Sequence, residues 1–249
     1  MKKAALLAVG ACVLALGRLA SAGSIGTPPP SDFSVVVTSS AGGDPLSVHP
    51  PLASNGDGSF SGTAMGTTSS FLFSSTYTVN ADPTISGSFS LTNLSSSTQL
   101  FSVSATISGV PLAGPTSFTG TYFESTYSDD NSDGSVSFAS PTLAMPGTQA
   151  FMKGLIDAAA VGQIGAFNDL ATGDAQISGT QGPETFSGSG PGVTSSIGVA
   201  FAFSVSPGDR VQVPFEFDVV PEPDGIATFA MGFALFLCTF AQKRASSSK

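Results

Sequence analysis

Four stretches of this chain alternate apolar and polar residues in strict register, and that period of two constrains the fold more than any other feature. Ile85, Gly87, Phe89 and Leu91 alternate with Ser86, Ser88, Ser90 and Thr92, and Phe101, Val103, Ala105 and Ile107 alternate with Ser102, Ser104 and Thr106. Further on, Ile197, Val199, Phe201, Phe203 and Val205 form one series, and Val211, Val213, Phe215, Phe217 and Val219 form the next. On a helix such residues would scatter around the axis, whereas on a strand they line one face and leave the hydroxyls on the other. One-faced strands must cover each other in pairs of sheets. The reading is therefore all-β, an antiparallel β-sandwich of jelly-roll or Ig-like type spanning residues 32–219.

Strand signals rich in Phe, Val, Ile and Thr fall at 33–38, 71–79, 84–91, 99–107, 117–127, 135–138, 196–205 and 210–219. Three connections look like hairpins: 92–98 with Asn93 and three serines, Pro207-Gly208-Asp209, and the Asp-rich run 129–134. Residues 151–160 break the pattern. Phe151, Leu155 and Ile156 with the following alanines fit a short helix, or equally a strand bent at Met152 and Gly154, and 169–193 reads as a long Gly-rich loop. Twenty phenylalanines with three tyrosines and no tryptophan suit a core better than a sugar-stacking platform, which favours rings with a polar handle.

The termini differ from this body. Met1-Lys2-Lys3, an apolar run from Ala4 to Leu16 and the small residues Ala20 and Ala22 form a signal peptide, 1–22, with cleavage between Ala22 and Gly23. A lipoprotein reading through Cys12 is the competitor. Export through the Sec translocon and processing by signal peptidase follow, and 23–31 is a flexible mature N-terminus. Segment 220–249 carries Pro221-Glu222-Pro223, then an uncharged apolar run over 225–241, then Lys243 and Arg244 in a basic tail, 242–249. As a helix the run reaches roughly 25 Å, the short end of a membrane span, with Lys243 and Arg244 as a cytoplasmic stop.

Pro221, Glu222 and Pro223, followed by a short apolar helix and a basic end, resemble the PEP-CTERM sorting domain over about the last 29 residues. The resemblance implies an exosortase as partner, in a bacterium that makes exopolysaccharide, which cuts near the motif and releases or transfers the body. Here the tail is weakly basic and extended rather than an arginine cluster, and a plain tail anchor is the alternative. The body also resembles the β-sandwich cargo attached to such tails, and that resemblance carries no activity with it.

Charge narrows the partners. Between Gly23 and Val220 only Lys153 and Arg210 oppose fifteen carboxylates, a net charge of −13, which repels phosphate backbones and excludes nucleic acid as a partner. Both cysteines, Cys12 and Cys238, lie in the terminal apolar segments, so the body has no disulfide and no thiolate metal site.

Candidate chemistry is sparse. Asp129, Asn131 and Asp133, followed by Gly134, match the start of a calcium loop: hard oxygen ligands at alternate positions and a sharp glycine turn. The twelfth position, where such a loop needs a bidentate acid, is Ser140, and a plain turn explains the same residues. Asn55-Gly56-Asp57-Gly58 is a second acidic turn, and Asn93-Leu94-Ser95 is a formal sequon. His49, the single histidine, precedes Pro50 and Pro51 in a loop, and the chain has no nucleophile motif. Glu124 with Asp129, and Glu216 with Asp218, are the carboxylate pairs a glycoside hydrolase would need, but the second pair shares a solvated strand face. The expectation is a non-enzymatic body with no cofactor other than calcium at that loop, structural or adhesive at the cell surface or in the extracellular matrix. The alternatives are a secreted glycan- or calcium-binding module and, last, a carboxylate-based polysaccharide hydrolase.

Overall fold

The computed structural model describes residues 30, 32–80, 83–140, 150–165, 167–172 and 177–222. Every regular element among them is a strand. In chain order these are β1 (Asp32–Ser39), β2 (Leu46–Val48), β3 (Ala53–Ser54), β4 (Ser59–Thr67), β5 (Phe71–Asn80), β6 (Thr84–Asn93), β7 (Gln99–Ser108), β8 (Thr116–Tyr122) and β9 (Ser125–Ser128). There follow β10 (Ser135–Ala139), β11 (Met152–Ile156), β12 (Ala159–Ile164), β13 (Asn168–Thr172), β14 (Ser178–Gln181), β15 (Glu184–Gly190), β16 (Ser196–Val205) and β17 (Arg210–Pro221).

They form two wholly antiparallel sheets. The first runs β2-β1-β7-β16 and continues with β11-β12, while β10 pairs the end of β16 and carries β13. The second runs β3-β4-β5-β6-β17. Its next row is split: β9 pairs the start of β17 and β8 its end, with β14 and β15 outside them. The alternating residues all turn inward, as their period requires. Phe89 and Phe215 from the second sheet meet Phe201 and Phe203 from the first, with the Phe89–Phe203 rings 5.7 Å apart and stacked and Phe201–Phe215 at 5.1 Å. All four are 2% exposed or less, and burying a side chain of this size contributes about 2–3 kcal/mol.

The three expected hairpins are not hairpins. β6 lies in the second sheet and β7 in the first, β9 in the second and β10 in the first, β16 in the first and β17 in the second. Each connection is an arch that crosses the core from sheet to sheet. Alternation identifies a strand's buried face, and that face points into the same core whether the next strand lies alongside or opposite.

Residues 151–160 hold strands instead of a helix. β11 and β12 form a hairpin around Asp157 and Ala158, both at positive φ (49° and 65°), and a bulge lies between Gly154 and Leu155. The expected loop over 169–193 carries β14 and β15 and most of β13. Glycines there and in the neighbouring β11 and β12 make room for rings: a Cβ at Gly188 would stand 2.7 Å from Phe118, one at Gly162 2.3 Å from Phe186, and one at Gly154 2.3 Å from Phe217. Packing, not intrinsic strand preference, holds this edge. No helix among the described residues is long and apolar enough to cross a membrane, and the expected span at 225–241 lies outside them.

Candidate functional site

The three arches, 94–98, 129–134 and 206–209, meet at one end of the sandwich because their strands are register neighbours: Arg210 pairs with Thr92 on one side and Ser128 on the other, and Val205 pairs with Gln99 and Phe138. Asn93 ties two of them together. Its side-chain amide, fully buried, donates to the carbonyls of Ser97 (2.9 Å), Val205 (2.9 Å) and Ser206 (3.1 Å), and the Asn93 backbone carbonyl accepts from the Gly208 N–H (2.8 Å). An amide so engaged is not presented as a glycan acceptor.

The arch over 129–134 is organised by its own acids. Buried Asp129 accepts from the Asp133 N–H (3.2 Å) and the Gly134 N–H (2.9 Å). Asn131 donates to Asp133 (3.0 Å) and reaches across to the Pro207 carbonyl (2.6 Å), and Ser132 sits at φ 61°. The amide of Asn131, with help from Ser135, holds the exposed Asp133 carboxyl below its ordinary range. Arg210 faces Asp130 at 3.5 Å.

Beneath this loop lies Asp209, which has no solvent exposure. Its Oδ2 accepts from the Ser206 hydroxyl, while its Oδ1 has no hydrogen-bond partner. Burial pushes its carboxyl up to about 6, against the Ser206 hydrogen bond, and the charges of Asp129 and Asp133 push the same way. Sequence reasoning missed this residue because Pro207-Gly208-Asp209 reads as a turn between two paired strands. Only the crossing of the sheets puts it under the acidic loop. Among the described residues no group of three His, Cys, Asp or Glu side chains is gathered to hold a metal ion.

The remaining candidates lie apart. His49 Nδ1 contacts Asp32 Oδ1 at 3.1 Å, with both side chains well exposed. Glu216 is exposed on β17, and Asp218 accepts from the Thr84 hydroxyl at 2.6 Å. Glu124 is exposed between β8 and β9, whereas Asp129 is buried beneath its own loop. Asp57 caps its turn through the Ser59 hydroxyl (2.6 Å) and N–H (2.9 Å). On the outer face of the second sheet, Ser74, Thr76, Ser88, Ser90 and Gln212 with exposed Met65 line a shallow depression of about 430 Å³.

Pro221 is the last residue of β17, in register with Thr116, and Glu222 is the last described residue. Pro223, the cleavage residues Ala20, Ala22 and Gly23, and the stop residues Lys243 and Arg244 lie outside the described residues.

No family model matches the sequence, and no curated protein does. Among solved structures the chain is similar to that of TmCBM61 in complex with β-1,4-galactotriose, at 11% identity over 65% of this chain and 88% of that one, with a TM-score of 0.26. A likeness of that extent transfers no binding surface.

Proposed function

We propose that the chain is an exported cell-surface or matrix protein with a non-catalytic structural or adhesive body, sorted through Pro221, Glu222 and Pro223 by an exosortase. The observation that carries this reading is the position of the motif. Strand β17 ends at Pro221, so the motif begins where the sandwich ends and follows it with no intervening domain. The signal-peptide pattern at 1–22 supports delivery through the Sec translocon and signal peptidase, and the apolar run at 225–241 supports a membrane-held intermediate. A non-enzymatic body is supported by Asp57, Asp129 and Asp157, whose carboxylates cap turns and loops, and by Glu216, which stands on an exposed strand face. The two antiparallel sheets fit the jelly-roll or Ig-like classes.

Mass spectrometry of material shed by the native bacterium tests the sorting. The expected product starts near Gly23 and ends near Pro221–Pro223. Full-length protein recovered only in membranes would leave a simple tail anchor.

A second reading, binding of an exopolysaccharide, is favoured by the hydroxyl-lined depression on the second sheet, which Arg210 borders. Hydroxyls match neutral sugars through neutral hydrogen bonds, which hold them weakly where no aromatic ring stacks. Calorimetry against exopolysaccharide fragments tests it, with Thr76→Val and Ser88→Val expected to abolish any heat.

A further inference from the structure

A calcium ion takes six to eight oxygen ligands and tolerates irregular geometry, and in a loop of this kind an acid at the twelfth position closes the shell. In 129–140 that position is Ser140, which is buried away from the loop, with its hydroxyl donating to the Phe167 carbonyl at 3.0 Å. By itself the loop lacks one carboxylate. It does have the internal order such a loop needs: Asp129 gathers the N–H groups of Asp133 and Gly134, and the Asp133 N–H closes on the Asn131 side-chain oxygen at 2.8 Å.

The β16–β17 arch places one more carboxylate at the same spot. Asp209 is fully buried with Oδ1 unpartnered, its carboxylate faces the backbone N–H of Asp130, and the charges of Asp129 and Asp133 act on it. Asn131, hydrogen-bonded to Pro207, holds the two arches together. The cation nearest to hand, Arg210, is paired with Asp130 at the surface. A buried carboxylate oxygen that makes no hydrogen bond is costly, and a divalent ion satisfies it while neutralising its two acidic neighbours.

We infer that this end of the sandwich binds calcium, with Asp209 supplying from a separate arch the acid that the Asp129–Gly134 loop lacks. Among the described residues the three carboxylates are not gathered on one point, so binding requires the arches to draw together. Calcium suits a shell assembled from separate arches better than magnesium, which demands near-ideal octahedral geometry. The inference is independent of how the chain is sorted.

The test is calorimetry and thermal melting of the full chain in detergent after chelation, titrated with CaCl2 and, separately, MgCl2. Saturable binding of one calcium is expected, with Kd in the range of about 10⁻⁴ to 10⁻³ M and a rise in melting temperature of about 5 °C near saturation. Magnesium should produce much less. Asp209→Asn, which preserves shape, should weaken calcium binding about tenfold or more while keeping the strand-type circular dichroism of the parent. Asp133→Asn, at an exposed position, gives the same reading should Asp209→Asn not fold. No calcium heat and no shift in the parent overturns the inference, as does calcium binding undiminished in folded Asp209→Asn.

Discussion

The two ends of the sandwich each hold a carboxylate in a connection between strands, and the two are treated in opposite ways. At the end away from the arches, Asp157 in the β11–β12 turn reaches over to the segment before β16. It accepts from the N–H groups of Thr194 (2.8 Å), Ser195 (2.7 Å) and Ser196 (3.0 Å) and from the hydroxyls of Thr194 and Ser195. Burial works against its charged form, but these donors outweigh it and hold the carboxyl far below its ordinary range. At the arch end, Asp209 has one serine hydroxyl, two acidic neighbours and an unpartnered oxygen. The same side chain is a brace where donors converge and a liability where they do not.

Removing the brace should have the largest effect. Asp157→Ala leaves three backbone N–H groups without their acceptor and should cost about 2–3 kcal/mol, read as a lower denaturant midpoint with an unchanged slope. A loss below ~0.5 kcal/mol would show that water replaces the carboxylate, and the contrast between the two ends would collapse.

Titration separates the ends next, in chelator. The folded-state value of Asp157 lies below its unfolded one, so its stabilisation is present above about pH 4 and fades as pH falls further. For Asp209 the sign is reversed. The folded protein holds its proton more tightly, so stability is greatest below about pH 4 and declines by about 2 kcal/mol as pH rises to about 6, then levels off. The groups facing it are Ser206, Asp129, Asp133 and the Asp130 backbone, and the Arg210–Asp130 pair lies at the surface beyond. Urea midpoints measured from pH 3.5 to 7.5 check both signs, and a monotonic rise across that range would contradict the account of Asp209.

The smallest effect is the sharpest discriminator. Asp209→Asn removes the buried charge and should raise stability at pH 7 by about 1 kcal/mol in chelator while flattening the decline between pH 4 and 6. Asp157→Asn, by contrast, should destabilise at every pH above about 4.

The same contrast shows what the sequence could and could not disclose. The inward set, Phe89, Phe101, Phe201, Phe203, Phe215 and Phe217, is legible from the period of two alone and is fully buried. Pairing was not, because Val205 and Val211 carry the same alternation whether Pro207-Gly208-Asp209 makes a hairpin or an arch. Asp209 therefore could not be joined to Asp129, Asn131 and Asp133, although those three were visible as a spaced acidic run. The edge from 159 to 190 was hidden for a different reason. Gly162 and Gly188 have no strand preference of their own, and they serve as strand residues only because Phe118 and Phe186 occupy the space a Cβ would take.

The position of β17 also has a mechanical meaning. It is an interior strand, bonded to β6 along one side and to β9 and β8 along the other, and its end is the point at which the chain leaves the sandwich. A pull applied at residue 222 acts along the strand axis, nearly at right angles to the hydrogen bonds on both flanks, so it shears two ladders at once instead of peeling one open bond by bond. A body tethered through that residue would withstand drag with an interior strand.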